Sequence, residues 1–165
     1  RSLVGSEMCI RDRLQTYTLN RGRTRTFVMT RYRRDGAVAD KPRGGAQRRT
    51  DLARRGEQFA ARLYSARGAQ VLAHNVSYPS GELDLVVRES DGTIVFVEVK
   101  TRRSADFGVA EAVTSRKLAR MRKAARQWLQ GRAALAEVRF DVVALTVNGP
   151  GFDVEYYAGV EHGAG

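Results

Sequence analysis

Two apolar runs joined by a short polar break constrain this chain more than any other feature: Gly81-Glu82-Leu83-Asp84-Leu85-Val86-Val87 and Ile94-Val95-Phe96-Val97-Glu98-Val99-Lys100. Both are rich in β-branched residues, and side chains alternate along a strand. Glu98 and Lys100 therefore project from one face, while Val95, Val97 and Val99 turn to the other. The break decides how the strands pair. A two-residue Asp91-Gly92 turn sets Asp84 opposite Val99 and mixes polar with apolar residues on both faces. A three-residue loop, Ser90-Asp91-Gly92, with glycine in the left-handed position, sets Asp84 opposite Glu98. It also sets Leu83 opposite Val99, Leu85 opposite Val97 and Val87 opposite Val95. One wholly apolar face results, and because period-two burial fixes register, this is the expected hairpin. Glu82 then lies across from Lys100 as a cross-strand ion pair.

Asp84 against Glu98 is a like-charge pair, destabilising unless something neutralises it. Two unit charges about 4 Å apart repel by roughly 4 kcal/mol at an effective dielectric near 20. A divalent cation turns that repulsion into attraction. Carboxylates suit hard ions, and magnesium commonly takes only one or two of them, which points to Mg²⁺ or Mn²⁺. A solvated hairpin face also produces Glu-x-Lys by chance. Against that, the acids share their face with Val86, Ile94 and Phe96, so the face is apolar at one end and acidic at the other, as at the mouth of a cleft.

A helix precedes the hairpin. Its expected start is Thr50 or Asp51, either of which can cap it. Leu52, Gly56, Phe59, Ala60 and Leu63 recur at helical spacing, and Gly68 stops it. Glu57 lies at the edge of the buried stripe, where it can lean over the sheet to add a ligand or orient a water. Among Arg54, Arg55 and Arg62 it also reads as a solvated glutamate.

Gly56-Glu57, Asn75, Gly81-Glu82-Leu83-Asp84-Leu85, Val95-Phe96-Val97-Glu98-Val99-Lys100-Thr101-Arg102, Phe107-Gly108, Lys117 and Arg139-Phe140-Asp141-Val142-Val143 form an ordered set. With it the chain resembles the YraN-like family of bacterial proteins over residues 51 to 145. That family is similar to the restriction-endonuclease-like superfamily, in particular archaeal Holliday-junction resolvases. The resemblance implies an α/β fold, a restriction-endonuclease-like single domain with a mixed central sheet flanked by helices. It implies Glu57, Asp84, Glu98 and Lys100 as catalytic residues. Leu83 departs from the wider superfamily, which often has proline before the aspartate. The chemistry implied is metal-dependent hydrolysis of phosphodiesters in DNA, including branched or repair intermediates. Asp84, Glu98 and the Val99 carbonyl would hold the ion, which acidifies a water and offsets phosphate charge. Lys100 would position or activate that water. Resolvases work as dimers, so a homodimer is an expectation.

Arg116, Lys117, Arg120, Arg122, Lys123 and Arg126 fall in a second helix capped by Thr114 or Ser115 and stopped by Gly131, with Leu118, Met121, Ala125 and Trp128 as its buried stripe. Arg102, Arg116, Lys117, Arg120 and Lys123 are the expected phosphate contacts. Four to six such contacts give a salt slope on the order of −4 to −5 on duplex DNA. A solvated arginine-rich face is the other reading. Trp128 is read as core.

Net charge is +11 over 165 residues, but residues 1–50 hold thirteen of the basic and four of the acidic groups, so the remainder is nearly balanced. Residues 1–50 are expected to be a disordered arginine-rich tail, 51–160 the domain and 161–165 a C-terminal tail. Residues 1–13 resemble a translated sequencing adapter, which suggests Met29 as the start of translation. Strands are expected near 69–75 and over 138–147, the latter parallel to its neighbour because a helix intervenes, and over 151–157. The single cysteine excludes disulfides and thiolate zinc sites. His74 and His162 are isolated. No apolar run reaches membrane-spanning length, no phosphate-loop or dinucleotide fingerprint occurs, and the expected location is cytoplasmic. Two function classes remain: the nuclease, and a nucleic-acid-binding module that keeps the fold without cleaving.

Overall fold

The computed structural model describes residues 13–19, 23–30, 44–104, 114–132, 136–149 and 151–160. Residues 1–12 with Cys9, the Phe107-Gly108 motif, and 161–165 with His162 lie outside them. The strands are β1 (Arg13–Leu19), β2 (Arg23–Thr30), β3 (Gln70–Tyr78), β4 (Gly81–Arg88), β5 (Ile94–Arg102), β6 (Val138–Asn148) and β7 (Gly151–Tyr157). They form one mixed sheet in the order β1-β2-β7-β6-β5-β4-β3. Helices α1 (Gly45–Ala66) and α2 (Ser115–Leu129) cover its two faces. This is the expected α/β class. β5 and β6 run parallel, joined through α2, and the other neighbours are antiparallel.

The alternation along β5 sorts the core. Val95, Val97 and Val99 pack with Leu85, Val87, Val143, Leu145, Val154 and the α1 residues Phe59, Ala60, Leu63 and Tyr64. Ile94 and Phe96 pack with Val86 and the α2 residues Met121, Ala124, Ala125 and Trp128. Phe96 meets the Trp128 ring edge-on at 5.8 Å and stacks on Phe140 at 5.5 Å, which fixes α2 against the sheet. Gly68, at φ 87°, follows the end of α1, and Gly131, at φ 75°, follows α2, as their spacing predicts.

Three boundaries differ from the sequence reading. α1 begins at Gly45, with Gly44 as an N-cap that makes no side-chain bond, instead of at Thr50 or Asp51. Ala46, Gln47, Arg48 and Arg49 are good helix formers that carry the helix back past both caps, and the Thr50 hydroxyl bonds the Ala46 carbonyl at 3.3 Å. β3 continues beyond Asn75 to Tyr78 and forms a hairpin with β4. Within the stretch read as a disordered tail, β1 and β2 pair with each other and β2 pairs with β7. Thr16, Thr18, Thr24, Thr26 and Val28 supply a β-branched alternation that the density of arginine conceals.

Candidate active site

Two glycines bring the helices close enough to the sheet to form a site. A Cβ at Gly56 would lie 1.9 Å from the Thr101 hydroxyl, so only glycine lets α1 settle on β5, and Glu57 is carried to the C-terminal end of that strand. A Cβ at Gly81 would meet the Arg120 carbonyl oxygen at 3.0 Å. That close fit draws α2 over the start of β4, and Lys117 one turn earlier reaches Glu98.

The hairpin register is the expected one over Leu85↔Val97, Val86↔Phe96 and Val87↔Val95. Gly92 takes φ 93°, and the Glu89 N–H donates to the Thr93 carbonyl at 2.9 Å, closing the three-residue loop. The ladder then stops. None of Glu82, Leu83 and Asp84 pairs with β5, and the Lys100 ammonium lies on Glu98 in place of the expected bridge to Glu82. The cause lies on β3. Asn75 is left-handed at φ 48°, the pairing of Asn75 with Asp84 is missing, and the pleat breaks between Leu83 and Leu85. Leu83 consequently buries on the α2 face with Val86 and Phe96, away from Leu85 and Val99, where alternation had put it.

The Asp84 carboxylate occupies the opening, and its Oδ2 accepts the Val99 N–H at 2.8 Å. Odd-numbered residues of β5 direct their backbone groups toward β4, as the Glu89–Thr93 bond shows. Even-numbered ones face β6, as does the Ile94 N–H donating to the Glu137 carbonyl at 2.8 Å. The Val99 carbonyl therefore also points into the opening, where its ladder partner Leu83 has left. Burial, followed by the charge of Glu98, raises the Asp84 carboxyl from its ordinary value to about 6, and Glu57 adds to the effect. The Val99 N–H and Lys117 oppose it.

Glu98 is 1% exposed. Lys100 Nζ lies 2.8 Å from its Oε1, and Lys117 Nζ lies 3.2 Å from its Oε2. Both are ion-pair distances, so each oxygen has one ammonium beside it, and no backbone N–H or neutral side-chain donor reaches either. A buried carboxylate held only by two half-exposed ammoniums, whose long side chains can swing away, has partners it can exchange. Asp84, Glu98 and the Val99 carbonyl are all oxygen donors, the kind that would suit a hard divalent ion.

Glu57 does not join them. Its Oε2 accepts from the Asn75 side-chain amide at 3.0 Å, because α1 packs on the other face of the sheet. Among the described residues no group of three or more His, Cys, Asp or Glu side chains is placed to hold a metal ion. The expectation of three convergent acids is thus reduced to two, with Glu57 acting at a distance through its charge.

Of the expected phosphate contacts, Arg116, Arg120 and Lys123 are exposed on α2 at spacings of four and three, one stripe of the helix, and Arg102 is half-buried at the end of β5. Lys117 departs from the group by turning inward to Glu98. Sequence reasoning gave no role to Asn75, although asparagine is the non-glycine residue best suited to a left-handed position within a strand. It also missed a cleft of about 370 Å³ lined by Tyr78, Ser80, Glu82, Lys117, Arg120 and Met121, which abuts Glu98 through Lys117.

Comparison with known proteins shows the family of the chain. The model of the uncharacterised protein family UPF0102, the YraN-like family, matches residues 56–145. A UPF0102 protein of Corynebacterium efficiens is 53% identical over 111 residues, 66% of this chain and 90% of that one. One from Corynebacterium diphtheriae is 46% identical over 114 residues, 68% of this chain and 93% of that one. The solved complex of EndoMS with double-stranded DNA covers 84% of this chain and 58% of its own, at 16% identity and a TM-score of 0.37. Among the described residues no helix is long and apolar enough to cross a membrane.

Proposed function

The chain belongs to the UPF0102 family, and on that premise we propose that it is a metal-dependent endonuclease hydrolysing phosphodiester bonds in DNA. The observation that carries this reading is Glu98: a carboxylate buried at 1% exposure, met only by two lysine ammoniums, beside a second carboxylate whose pKa its charge raises. A chain that folds around such a group needs a reason to keep it, and perturbed acids gather where chemistry is done.

Asp84, Glu98 and the Val99 carbonyl would hold Mg²⁺ or Mn²⁺, which supplies Lewis-acid charge at the phosphate and acidifies a water. The Val99 N–H fixes Asp84 through Oδ2 alone, which would leave Oδ1 for the ion. The Lys100 ammonium, 38% exposed, stands where solvent and a phosphate can both reach it and positions the attacking water. Glu57, held by Asn75, biases that water's proton through its negative charge. Arg116, Arg120 and Lys123 present a cationic stripe along which the backbone of a strand can lie. A cytoplasmic location and a homodimer accompany this reading as proposals.

The test is cleavage of branched, flapped, single-stranded and linear DNA with Mg²⁺ or Mn²⁺, by wild type and by Asp84→Ala. Products from wild type alone support the enzyme. Metal-dependent binding without products supports the second reading, a nucleic-acid-binding module, which is favoured by one specific observation: two lysines already neutralise Glu98.

A further inference from the structure

Lys117 is the residue whose placement differs most from expectation, and the proposed chemistry gives it no task. It sits between two environments. On one side its ammonium is 3.2 Å from Glu98 Oε2, and on the other its side chain forms a wall of the cleft between α2 and the β3–β4 turn. Arg120, one turn further along α2, lines the same cleft, with Glu82 as its acidic rim.

Charge counting shows what this position implies. Asp84 and Glu98 bring two negative charges and Lys100 and Lys117 two positive ones, so these four groups balance, with Glu57 acting on them from a distance. A divalent cation added to it creates an excess of two positive charges in a half-buried place, which is costly unless an ammonium withdraws or an anion arrives. Lys100 lies two residues along the strand from Glu98 and holds Oε1 at the shorter distance, 2.8 Å. Lys117 belongs to another element, holds the longer contact, and has a cleft beside it that another cation already lines.

We propose that Lys117 is a positioning residue: it occupies Glu98 in the metal-free protein, yields that carboxylate to the divalent cation, and then joins Arg120 in the cleft to hold a phosphate of the nucleic-acid strand. This rests on the reading of Asp84 and Glu98 as metal ligands. Its consequence is that cation and polyanion bind with positive coupling, each strengthening the other by the same factor.

Mn²⁺ binding measured by calorimetry on wild type, Lys117→Met and Lys117→Arg tests the first half. Anisotropy of a fluorescent oligothymidylate, with and without Ca²⁺ to avoid turnover, tests the second. In Lys117→Met, Mn²⁺ binds about tenfold tighter because its competitor is gone, the oligonucleotide binds several-fold weaker, and the strengthening of its binding by Ca²⁺ disappears. Lys117→Arg keeps the positive charge and stays near wild type in Mn²⁺ affinity. Circular dichroism verifies folding, and Lys117→Gln replaces the methionine variant if that one unfolds. Unchanged or weaker Mn²⁺ binding in Lys117→Met, with wild type binding normally, overturns the proposal and makes Lys117 a structural brace of Glu98. Absence of Mn²⁺ binding by wild type overturns the metal reading itself, and this inference with it.

Discussion

Glu98 and Asp141 stand on adjacent strands and are equally hidden from water, at 1% and 0% exposure, yet the protein treats them in opposite ways. Asp141 faces α1 and accepts hydrogen bonds from Tyr64 at 2.8 Å, Tyr156 at 2.6 Å, the Gly159 N–H at 3.0 Å, and two Arg139 nitrogens at 2.9 and 3.0 Å. Arg139 in turn grips Glu89 with two nitrogens. Burial and Asp141 push the Tyr156 hydroxyl up to about 12 and raise Tyr64 well above its ordinary value, so both remain donors at any working pH. Glu98 faces α2 and is met only by the ammoniums of Lys100 and Lys117, at 2.8 and 3.2 Å. A buried carboxylate that its own chain completes is a brace. One held by two half-exposed ammoniums alone can exchange them for an ion, as the proposed function requires.

The largest effect expected from this contrast is on stability. Asp141→Asn leaves Arg139 and two buried hydroxyls mispaired and lowers unfolding free energy by about 3 kcal/mol or more, whereas Glu98→Gln in metal-free buffer changes it by about 1 kcal/mol or less. Urea denaturation of both variants measures this, and equal losses would erase the distinction between brace and site. Next in size is Gly56→Ala. A methyl group driven against Thr101 costs about 1–3 kcal/mol and lifts Glu57 from its place, so thermal unfolding falls and cleavage falls with it.

A third test uses pH. The Asp84 carboxyl titrates near 6 in the folded protein and near 3.8 when unfolded, so between those values the native state binds the proton more tightly. Its contribution to stability is present below about pH 4 and is lost as pH rises to about 6. The difference in unfolding free energy between metal-free wild type and Asp84→Asn therefore shifts in favour of the variant over that interval. Saturating Mn²⁺ removes the shift if Asp84 binds the ion. The smallest effect belongs to Asn75→Gly, which relieves the left-handed backbone and stabilises by at most about 1 kcal/mol while releasing Glu57. Unfolding and cleavage, measured together, should move in opposite directions.

Much of this was legible in the sequence because it depends on local pattern. The Ser90–Gly92 loop gave the register, helical spacing gave both buried stripes, Thr114 gave the α2 cap, and the intervening helix gave the parallel pairing of β5 with β6. What escaped depends on interruption of a pattern. Alternation assumes an unbroken pleat, and the left-handed Asn75 breaks it at Asp84, which sends Leu83 to the other core. Lys117 looked like its basic neighbours because spacing along a helix does not reveal which long side chain finds a buried acid across a glycine contact. Glu57 was placed on the right element but not with the two acids, since the sheet separates its helix from α2. The strands at 13–30 were hidden by charge.

The β4–β5 hairpin resembles a clothes-peg: clamped from Leu85 to Arg88, sprung apart beyond, with Asp84 and the Val99 carbonyl set in its jaw. A peg's gape is fixed at its pivot, not at its handle. Residues inserted at the 90–92 tip should leave the jaw untouched, while deletion of a single residue between Leu85 and Arg88 turns Asp84 away from it. Length changes at the tip of this hairpin thus leave the proposed site in place, and changes on the strands behind it reach it.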